Sequence, residues 1–390
     1  STSVIAFIDL SKAFDRVNHQ ALLLLLQQLG LGGQVLNWLA NYLSNRKQRV
    51  SIPSASCDLQ AAEQGVPQGS VLGPLLFNLC LSNLPALVAD RFQATLLLFA
   101  DDKTLYAADV CPSVAAASVS GALDVICDDL QHKGLSVNLT KTVSMNISPP
   151  SVKTACRVTC NGVTLPLVSE HRVLGVVIDD ELSWTAHIDF MTARAGRKIG
   201  CLRRVHRQLS LQARRMYLIG VILPTLEYCS TVFCMQASAK GRQRLQATFR
   251  RAVRAACGAP RDAPVDPLMK NLNVRDLLDS WLLKLGTLAY RCTSGLAPDC
   301  LASLFCQQSQ SQSSAHYTRA AASKNLVVPR LSSRTGRNSL VNRLCLIWNS
   351  LPRDPRLAPS VTAFKAEFMK TLDSTSRSKL IELAFGSLDV

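Results

Sequence analysis

Two apolar runs of the sequence end on acid. Val4-Ile5-Ala6-Phe7-Ile8 leads into Asp9, and Thr95–Ala100 leads into Asp101-Asp102. An unpaired carboxylate buried at the end of such a strand costs several kcal/mol, so each of these groups demands a cation or water. If the two strands are neighbours, three carboxylates converge from distant points of the chain. Hard oxygen donors of that kind suit Mg²⁺, which prefers one or two carboxylates plus phosphates and waters to a full protein cage. Two such ions can activate a 3′-hydroxyl and stabilise a leaving pyrophosphate in an in-line displacement. Adjacent aspartates alone say little, and the chain carries its own controls. Asp128-Asp129 lies in a helical pattern, and Asp179-Asp180 precedes Glu181-Leu182-Ser183-Trp184, where helix capping is the expected role. Only Asp101-Asp102 falls at the tip of an expected hairpin.

The elements that must hold these groups follow from pattern. Val4–Ile8 is continuously apolar, the mark of a strand covered on both faces. Asn18 can cap a helix through Leu22–Leu26 that stops at Gly30, and a second helix covers about 35–43. Arg49-Val50-Ser51-Ile52 alternates as a strand, a helix follows Gly73-Pro74, and Thr95–Ala100 reads as a second buried strand. Thr104-Leu105-Tyr106-Ala107 returns after a few residues, which predicts the hairpin around Asp101-Asp102. A helix over about Val114–Lys133 leads to strands near Thr142–Ile147, Arg157–Leu165 and Val173–Ile178. Beyond Trp184 the pattern turns helical. Ile188, Met191, Ala195, Ile199, Leu202, Val205 and Leu209 recur at steps of three and four; Leu245, Phe249, Val253 and Cys257 recur every four until Gly258. Gln307–Ser314 reads as a loop, and Val361–Leu372 as a late helix.

Charge divides the same way. The 390 residues carry 43 Lys and Arg against 27 Asp and Glu, a net of +16. Residues 1–183 hold 12 basic and 15 acidic side chains, whereas residues 184–261 alone hold 15 and 2. Such a cluster of helical cations suits a polyphosphate track, with plain solvation as the competing reading. Hydrophobic content of 48% and a mean hydropathy of +0.15 exclude a disordered chain. The charge-free stretch 64–89 is interrupted by Pro67, Pro74 and Pro85, which argues against a membrane span, and no secretory signal is visible. The 14 cysteines sit in apolar runs, as small hydrophobes of a reducing compartment do. Cys156 and Cys160 with His171 beyond lack a CxxC pair, so zinc is not expected there.

The remaining motifs carry a resemblance. Phe7-Ile8-Asp9-Leu10-Ser11-Lys12-Ala13-Phe14-Asp15, then Gly65-Val66-Pro67-Gln68-Gly69-Ser70-Val71-Leu72-Gly73-Pro74, then Phe99-Ala100-Asp101-Asp102 occur in the order seen in reverse transcriptases. Gly134-Leu135-Ser136-Val137-Asn138 with Lys141-Thr142, and Leu174-Gly175-Val176-Val177-Ile178-Asp179, continue it. Over about residues 3–180 the chain resembles the polymerase of a non-LTR, LINE-type retrotransposon of jockey-like flavour. Trp348-Asn349-Ser350-Leu351-Pro352 and Ser360-Val361 with Phe364-Lys365 are similar to the tail that follows such polymerases.

The resemblance implies an α+β fold: a palm (antiparallel sheet with packed helices) over 1–180, a basic helical thumb over 184–261, and a helical C-terminal region over 262–390. It implies an RNA-directed DNA polymerase whose partners are an RNA template, a DNA primer and dNTPs, with no membrane and an open oligomeric state. Asp9 and Asp101 become the principal ligands of two Mg²⁺ ions, for which Mn²⁺ can substitute, and Asp102 a looser third ligand. Leu10, Ser11, Lys12 and Ala13 would lie along the incoming triphosphate. Phe14 matches the steric gate against a ribose 2′-OH, with a core aromatic as the competing reading; Gln68 and Gly69 would shape the nucleotide pocket. Lys141 matches the general acid for pyrophosphate, against an exposed loop lysine. Leu174, Gly175 and Val176 begin the primer grip. Arg194, Arg197, Lys198, Arg204, Arg207, Arg250, Arg251 and Arg254 are the candidate nucleic-acid contacts. Asp15 is expected to pair with Lys12 or Arg16. The family's localisation implies a cytoplasmic ribonucleoprotein and the nucleus. Asp9 stands so near Ser1 that the fingers and an upstream endonuclease are expected to be missing, and the chain to be weak or inactive by itself. The competing function is a non-catalytic RNA-binding remnant. Lys103 stands where relatives more often carry a small or polar residue.

Overall fold

The computed structural model describes residues 2–148, 156–305, 325–331, 334–373 and 376–386. The chain divides into two compact units, Ser1–Leu182 and Ser183–Val390.

In the first unit, β1 (Thr2–Ile8) leads to α1 (His19–Gln28) and α2 (Gly33–Leu43). Asn18 caps α1, its side-chain oxygen accepting from the Ala21 amide at 3.0 Å. Two short ladders follow. In the outer one β2 (Lys47–Gln48) pairs with β5 (Gln60–Ala61); in the inner one β3 (Ser51–Ile52) pairs with β4 (Ala55–Ser56). The strand expected over Arg49–Ile52 is therefore reduced to its last two residues, because the chain reverses after Ile52. The helices α3 (Gly73–Cys80) and α4 (Leu84–Arg91) each take a proline in their first turn, where the missing amide is no loss.

Next come β6 (Thr95–Phe99), β7 (Asp102–Asp109), α5 (Pro112–His132) and β8 (Val143–Ile147). The sheet order is β6-β7-β1-β8, antiparallel throughout. β1 is thus flanked on both sides, and Val4, Ala6 and Ile8 join Leu105, Ala107 and the α5 residues Val119, Leu123 and Ile126 in one core. The expectation of a second buried strand is corrected. β6 lies at the sheet edge, and Leu97 and Phe99 are 55% and 64% exposed. An apolar run cannot by itself distinguish a covered strand from an edge strand with an apolar outer face.

Two hairpins replace the two later strands. β9 (Thr159–Cys160) and β10 (Val163–Thr164) flank Asn161-Gly162, and β11 (Glu170–Val173) and β12 (Val176–Asp179) flank Leu174-Gly175. All four turn residues have positive φ, the twist that two-residue hairpin loops require. Asp179 accepts from the Glu181 amide at 3.2 Å, and no side-chain cap closes the following helix at Trp184. Helix capping by Asp179-Asp180 is therefore replaced by a turn.

The second unit is helical. α6 (Thr185–Val205) buries Ile188, Met191, Ala195, Ile199 and Leu202 and ends before Leu209. The run 211–233 is long and apolar enough to cross a membrane. It is broken into α7 (Leu211–Tyr217), a π-turn at Leu218–Ile222, α8 (Leu223–Glu227) and α9 (Ser230–Phe233), with left-handed Cys229 between the last two. α10 (Ala239–Cys257) is capped by Ser238 and closed by Gly258 at φ +67°. Then follow α11 (Val265–Leu272) and α12 (Leu277–Thr293). The helix Val361–Leu372 forms over its predicted range, and the loop expected at Gln307–Ser314 lies outside the described residues. The boundary expected near residue 261 does not divide compact units. Arg242 of α10 is buried and donates to the carbonyls of Ala237 and, at 2.6 Å, Phe385.

Candidate active site

The hairpin that carries the acids has its tip at Ala100-Asp101, between the paired residues Phe99 and Asp102. Ala100 sits at φ +50°, a conformation that costs an L-residue about 1 kcal/mol or more and that the flanking ladder enforces. β1 pairs with β7 up to Ile8↔Lys103, so the next step of the register sets Asp9 across from Asp102. β1 and β6 are not direct neighbours, because β7 lies between them. The return strand β7 therefore brings Asp102, not β6 directly, alongside Asp9.

Asp9 is fastened from the other side. Its amide donates to Thr142 Oγ1 at 3.2 Å, and its carbonyl accepts from the Asn138 amide at 2.8 Å. The Ser11 amide donates to the Ser136 carbonyl, Leu10 bridges Val137, and Arg16 Nη1 reaches Ser136 Oγ at 3.1 Å. Gly134–Asn138 thus forms a wall along Asp9–Arg16. The expected run of backbone amides loses Ser11, whose amide is already engaged. Lys12 itself is left-handed, at φ +48°. Thr142 carries no signal in the sequence, because its bond spans 133 residues.

The Gly65–Pro74 loop is tied to the same segment. Gly65 donates to the Val17 carbonyl at 2.8 Å, Val66 to the Phe14 carbonyl at 2.7 Å, and His19 Nε2 lies 2.7 Å from the Gly65 carbonyl. Phe14 is half-buried, stacked on Phe77 at 4.3 Å, so its ring belongs partly to the core. Gln68 is exposed and donates to Asp15 Oδ1 at 3.4 Å; Asp15 thus meets Gln68, not Lys12 or Arg16. Gly69 is exposed at φ +78°. Gln68 and Asp15 line a cavity of about 580 Å³ with Gln48 and the basic residues Arg46 and Lys47, which are absent from the sequence-based set. Lys141 is exposed, and the side-chain bonds of its loop run instead between Thr140 and Asn138.

The hairpin β11–β12 reaches the acids through His171, whose ring stacks on Phe7 at 4.2 Å. Burial holds His171 below the usual histidine range, against the pull of Asp102. Leu174 and Gly175 form the tip of this hairpin, while Val176 is buried.

Lys103 acquires an account. Its side chain is on the core side of β7, 2% exposed, with Nζ donating to the Asp101 carbonyl at 3.3 Å and lying 5.7 Å from the Phe77 ring centroid. Burial lowers its pKa from 10.5 to about 8, while Asp101, Asp102 and Asp9 oppose that shift.

Among the described residues, no group of three His, Cys, Asp or Glu side chains stands close enough to enclose a metal ion. The carboxylates of Asp9, Asp101 and Asp102 accept no hydrogen bond and form no ion pair there; the bonds of Asp9 and Asp101 use backbone atoms. An all-oxygen, unsatisfied donor set fits Mg²⁺, which completes its shell with water and phosphate.

The family model described as Reverse transcriptase (RNA-dependent DNA polymerase) matches residues 1–178. Residues 1–178 thus match a reverse transcriptase domain. The chain is 29% identical over 279 residues to the probable RNA-directed DNA polymerase from transposon BS of Drosophila melanogaster, covering 69% of this chain and 30% of that protein. It is 28% identical over 240 residues to the RNA-directed DNA polymerase from mobile element jockey of Drosophila funebris, covering 59% and 26%. The chain therefore spans less than a third of the length of these relatives. Among solved structures it is similar to apo telomerase from Candida tropicalis, with a TM-score of 0.36 and 14% identity over 73% of this chain and 50% of that one.

On the basic helices, Arg194, Arg197, Arg204, Arg207, Arg250 and Arg251 are exposed. Lys198 departs from the expected set. Its ammonium turns inward, donating to the Val221 carbonyl at 2.8 Å and Thr225 Oγ1 at 2.6 Å, and burial lowers its pKa. Arg254 is half-buried, its Nε donating to the Ala263 carbonyl at 2.8 Å.

Proposed function

We propose that this chain carries out, within its element's polymerase, the addition of deoxynucleotides to a DNA 3′-end on an RNA template. The observation that carries the reading is the register that sets Asp9 across from Asp102 beside the strained Ala100-Asp101 tip, where the three carboxylates accept no hydrogen bond among the described residues. In this reading residues 1–180 act as the palm, 184–261 as the thumb, and 262–390 support the thumb. Asp9 and Asp101 would hold two divalent ions, with Asp102 as the third carboxylate. Such ions supply a more acidic attacking 3′-hydroxyl and neutralisation of the leaving pyrophosphate.

The chain's own residues do the positioning. The amides of Leu10, Lys12 and Ala13 would bind the triphosphate. The Phe14 ring, backed by Phe77, would exclude a ribose 2′-OH, and Gln68 with Gly69 would border the base. Lys141, exposed beside Asn138, would deliver a proton to pyrophosphate. The Leu174–Val176 tip would hold the primer end. Such a role would bring the chain, with its RNA, into a cytoplasmic ribonucleoprotein and to nuclear DNA.

Primer extension on poly(rA)/oligo(dT) tests the reading. Incorporation of dTTP should require Mg²⁺ or Mn²⁺ and fall by roughly 10²-fold or more in Asp101→Ala, as expected when transition-state charge stabilisation is lost. Incorporation that survives Asp101→Ala would overturn it.

A further inference from the structure

The C-terminal end of α6 and the later half of α10 line a cavity of about 630 Å³ whose lining, among the described residues, is Arg203, Arg250, Arg251, Arg254 and Arg261 with Ala247 and Thr248. Arg250, Arg251 and Arg254 share one face of α10 with Ala247, at helical steps of three and four. Arg203 enters from α6, and Arg261 from the loop after α10. Two of the five are held in place. Arg254 is tethered to the Ala263 carbonyl, and Arg251 lies against α6 at Gly196, where an added Cβ would stand 3.3 Å from Nη2. The Thr248 hydroxyl is engaged by the Arg244 carbonyl, so the guanidinium groups are the polar lining.

Dipoles explain only part of this. Cations in the last turn of a helix are favourable, which accounts for Arg203 and Arg254. Arg250, Arg251 and Arg261 lie outside those turns, and crowding five like charges around one hollow is unfavourable until an anion enters. Guanidinium forks match phosphate oxygens in pairs. A hollow also selects by shape. A flexible single strand can fold several phosphates into it, whereas a duplex presents its phosphates on a convex cylinder and meets only the rim. With arginines and small residues as its lining, the cavity offers no ring on which a base can stack.

We infer that this cavity binds the phosphodiester backbone of a single-stranded nucleic acid, without regard to sequence. The inference rests on the nucleic-acid function proposed above and adds a strand-specific site to it. Arg203 and Arg261, outside the sequence-based set, belong to the site, whereas Lys198 does not.

The test is fluorescence anisotropy on the full chain with labelled oligo(rU), oligo(rA) and oligo(dT) of about 16 nucleotides and an RNA duplex of matching length. The pocket variant is Arg203→Ala/Arg251→Ala. The control is Arg275→Ala/Arg353→Ala, which removes the same charge from exposed positions of the same unit. The pocket variant should lose roughly tenfold or more in single-strand affinity, and its salt slope should fall by about 1.4, or 0.7 per lost phosphate contact. The control and the duplex should change less than about threefold, and oligo(rU) and oligo(rA) should respond alike. A loss shared by RNA and DNA supports reading of the backbone alone, and a loss confined to one names the strand. A loss no larger than the control's, or one as large for the duplex, overturns the inference. Because Asp9 and Asp101 are intact in both variants, metal-dependent retention of dTTP reports separately on the proposed function.

Discussion

Gly65→Ala should destabilise the first unit by about 3 kcal/mol or more, through overpacking and a strained backbone together. Gly65 adopts φ +86°, and a Cβ there would stand 2.7 Å from the Asp15 Cα and carbonyl carbon and from the Phe14 oxygen. Those neighbours are backbone, so they cannot rotate away. The two amide bonds that dock the loop, Gly65 to Val17 and Val66 to Phe14, would lengthen with the shift. Gly69→Ala is the matched comparison. Its φ is +78°, yet a Cβ added there would meet nothing within 4 Å, so the cost should be only the left-handed conformation, about 1 kcal/mol. Urea unfolding of both variants measures the difference; equal midpoints would show that the loop does not lie against Phe14-Asp15.

Lys103→Met should stabilise the metal-free protein at pH 7 by about 2 kcal/mol. The Lys103 ammonium is charged at that pH and held in the core, with its pKa lowered from 10.5 to about 8 chiefly by burial. That difference corresponds to about 3 kcal/mol, less about 1 kcal/mol for the bond to the Asp101 carbonyl. Between pH 8 and 10.5 the unfolded chain binds more protons than the folded one, so Lys103 makes the wild type gain stability as pH rises there. The advantage of Lys103→Met should therefore be full below pH 8 and shrink towards pH 10.5. Unfolding midpoints across that range, in buffer free of divalent ions, check the sign. A variant less stable than wild type at pH 7 would show that the ammonium is a net support for the hairpin. Activity can move the other way, because Lys103 also holds the carbonyl of Asp101.

The acid-bearing hairpin and the start of α1 were legible because their signals are local. The hairpin around Asp101-Asp102 needs only two apolar runs and a short return, and Asn18 announced α1 by its side chain. What failed was not local. Leu97 and Phe99 are as apolar as any core strand, and only the sheet order shows that β6 is an edge. Leu174 in a left-handed turn gives no warning in its residue type, so β11 and β12 merged into one expected strand. Asn161-Gly162 did carry a turn signal that the alternating pattern around it overrode. Charge type alone placed Lys198 among the nucleic-acid contacts, although carbonyl and hydroxyl acceptors on the 218–227 run draw it inward. The same pattern-based selection omitted Arg203 and Arg261, which only the packing of α6 on α10 brings to one hollow.

Catalysis and binding part company at the three carboxylates. Salt-sensitive RNA affinity is expected of a polymerase and of a remnant that merely binds RNA, because both would use the arginines of the second unit. Retention of an incoming nucleotide on a primer end belongs to the polymerase alone. The direct measurement is therefore retention of labelled dTTP by the chain bound to poly(rA)/oligo(dT), with and without Mg²⁺, in wild type and in Asp9→Asn. The proposed function predicts that dTTP stays only when Mg²⁺ and Asp9 are both present, while template affinity is unchanged by either. Nucleotide retention indifferent to Mg²⁺ and Asp9 would contradict it.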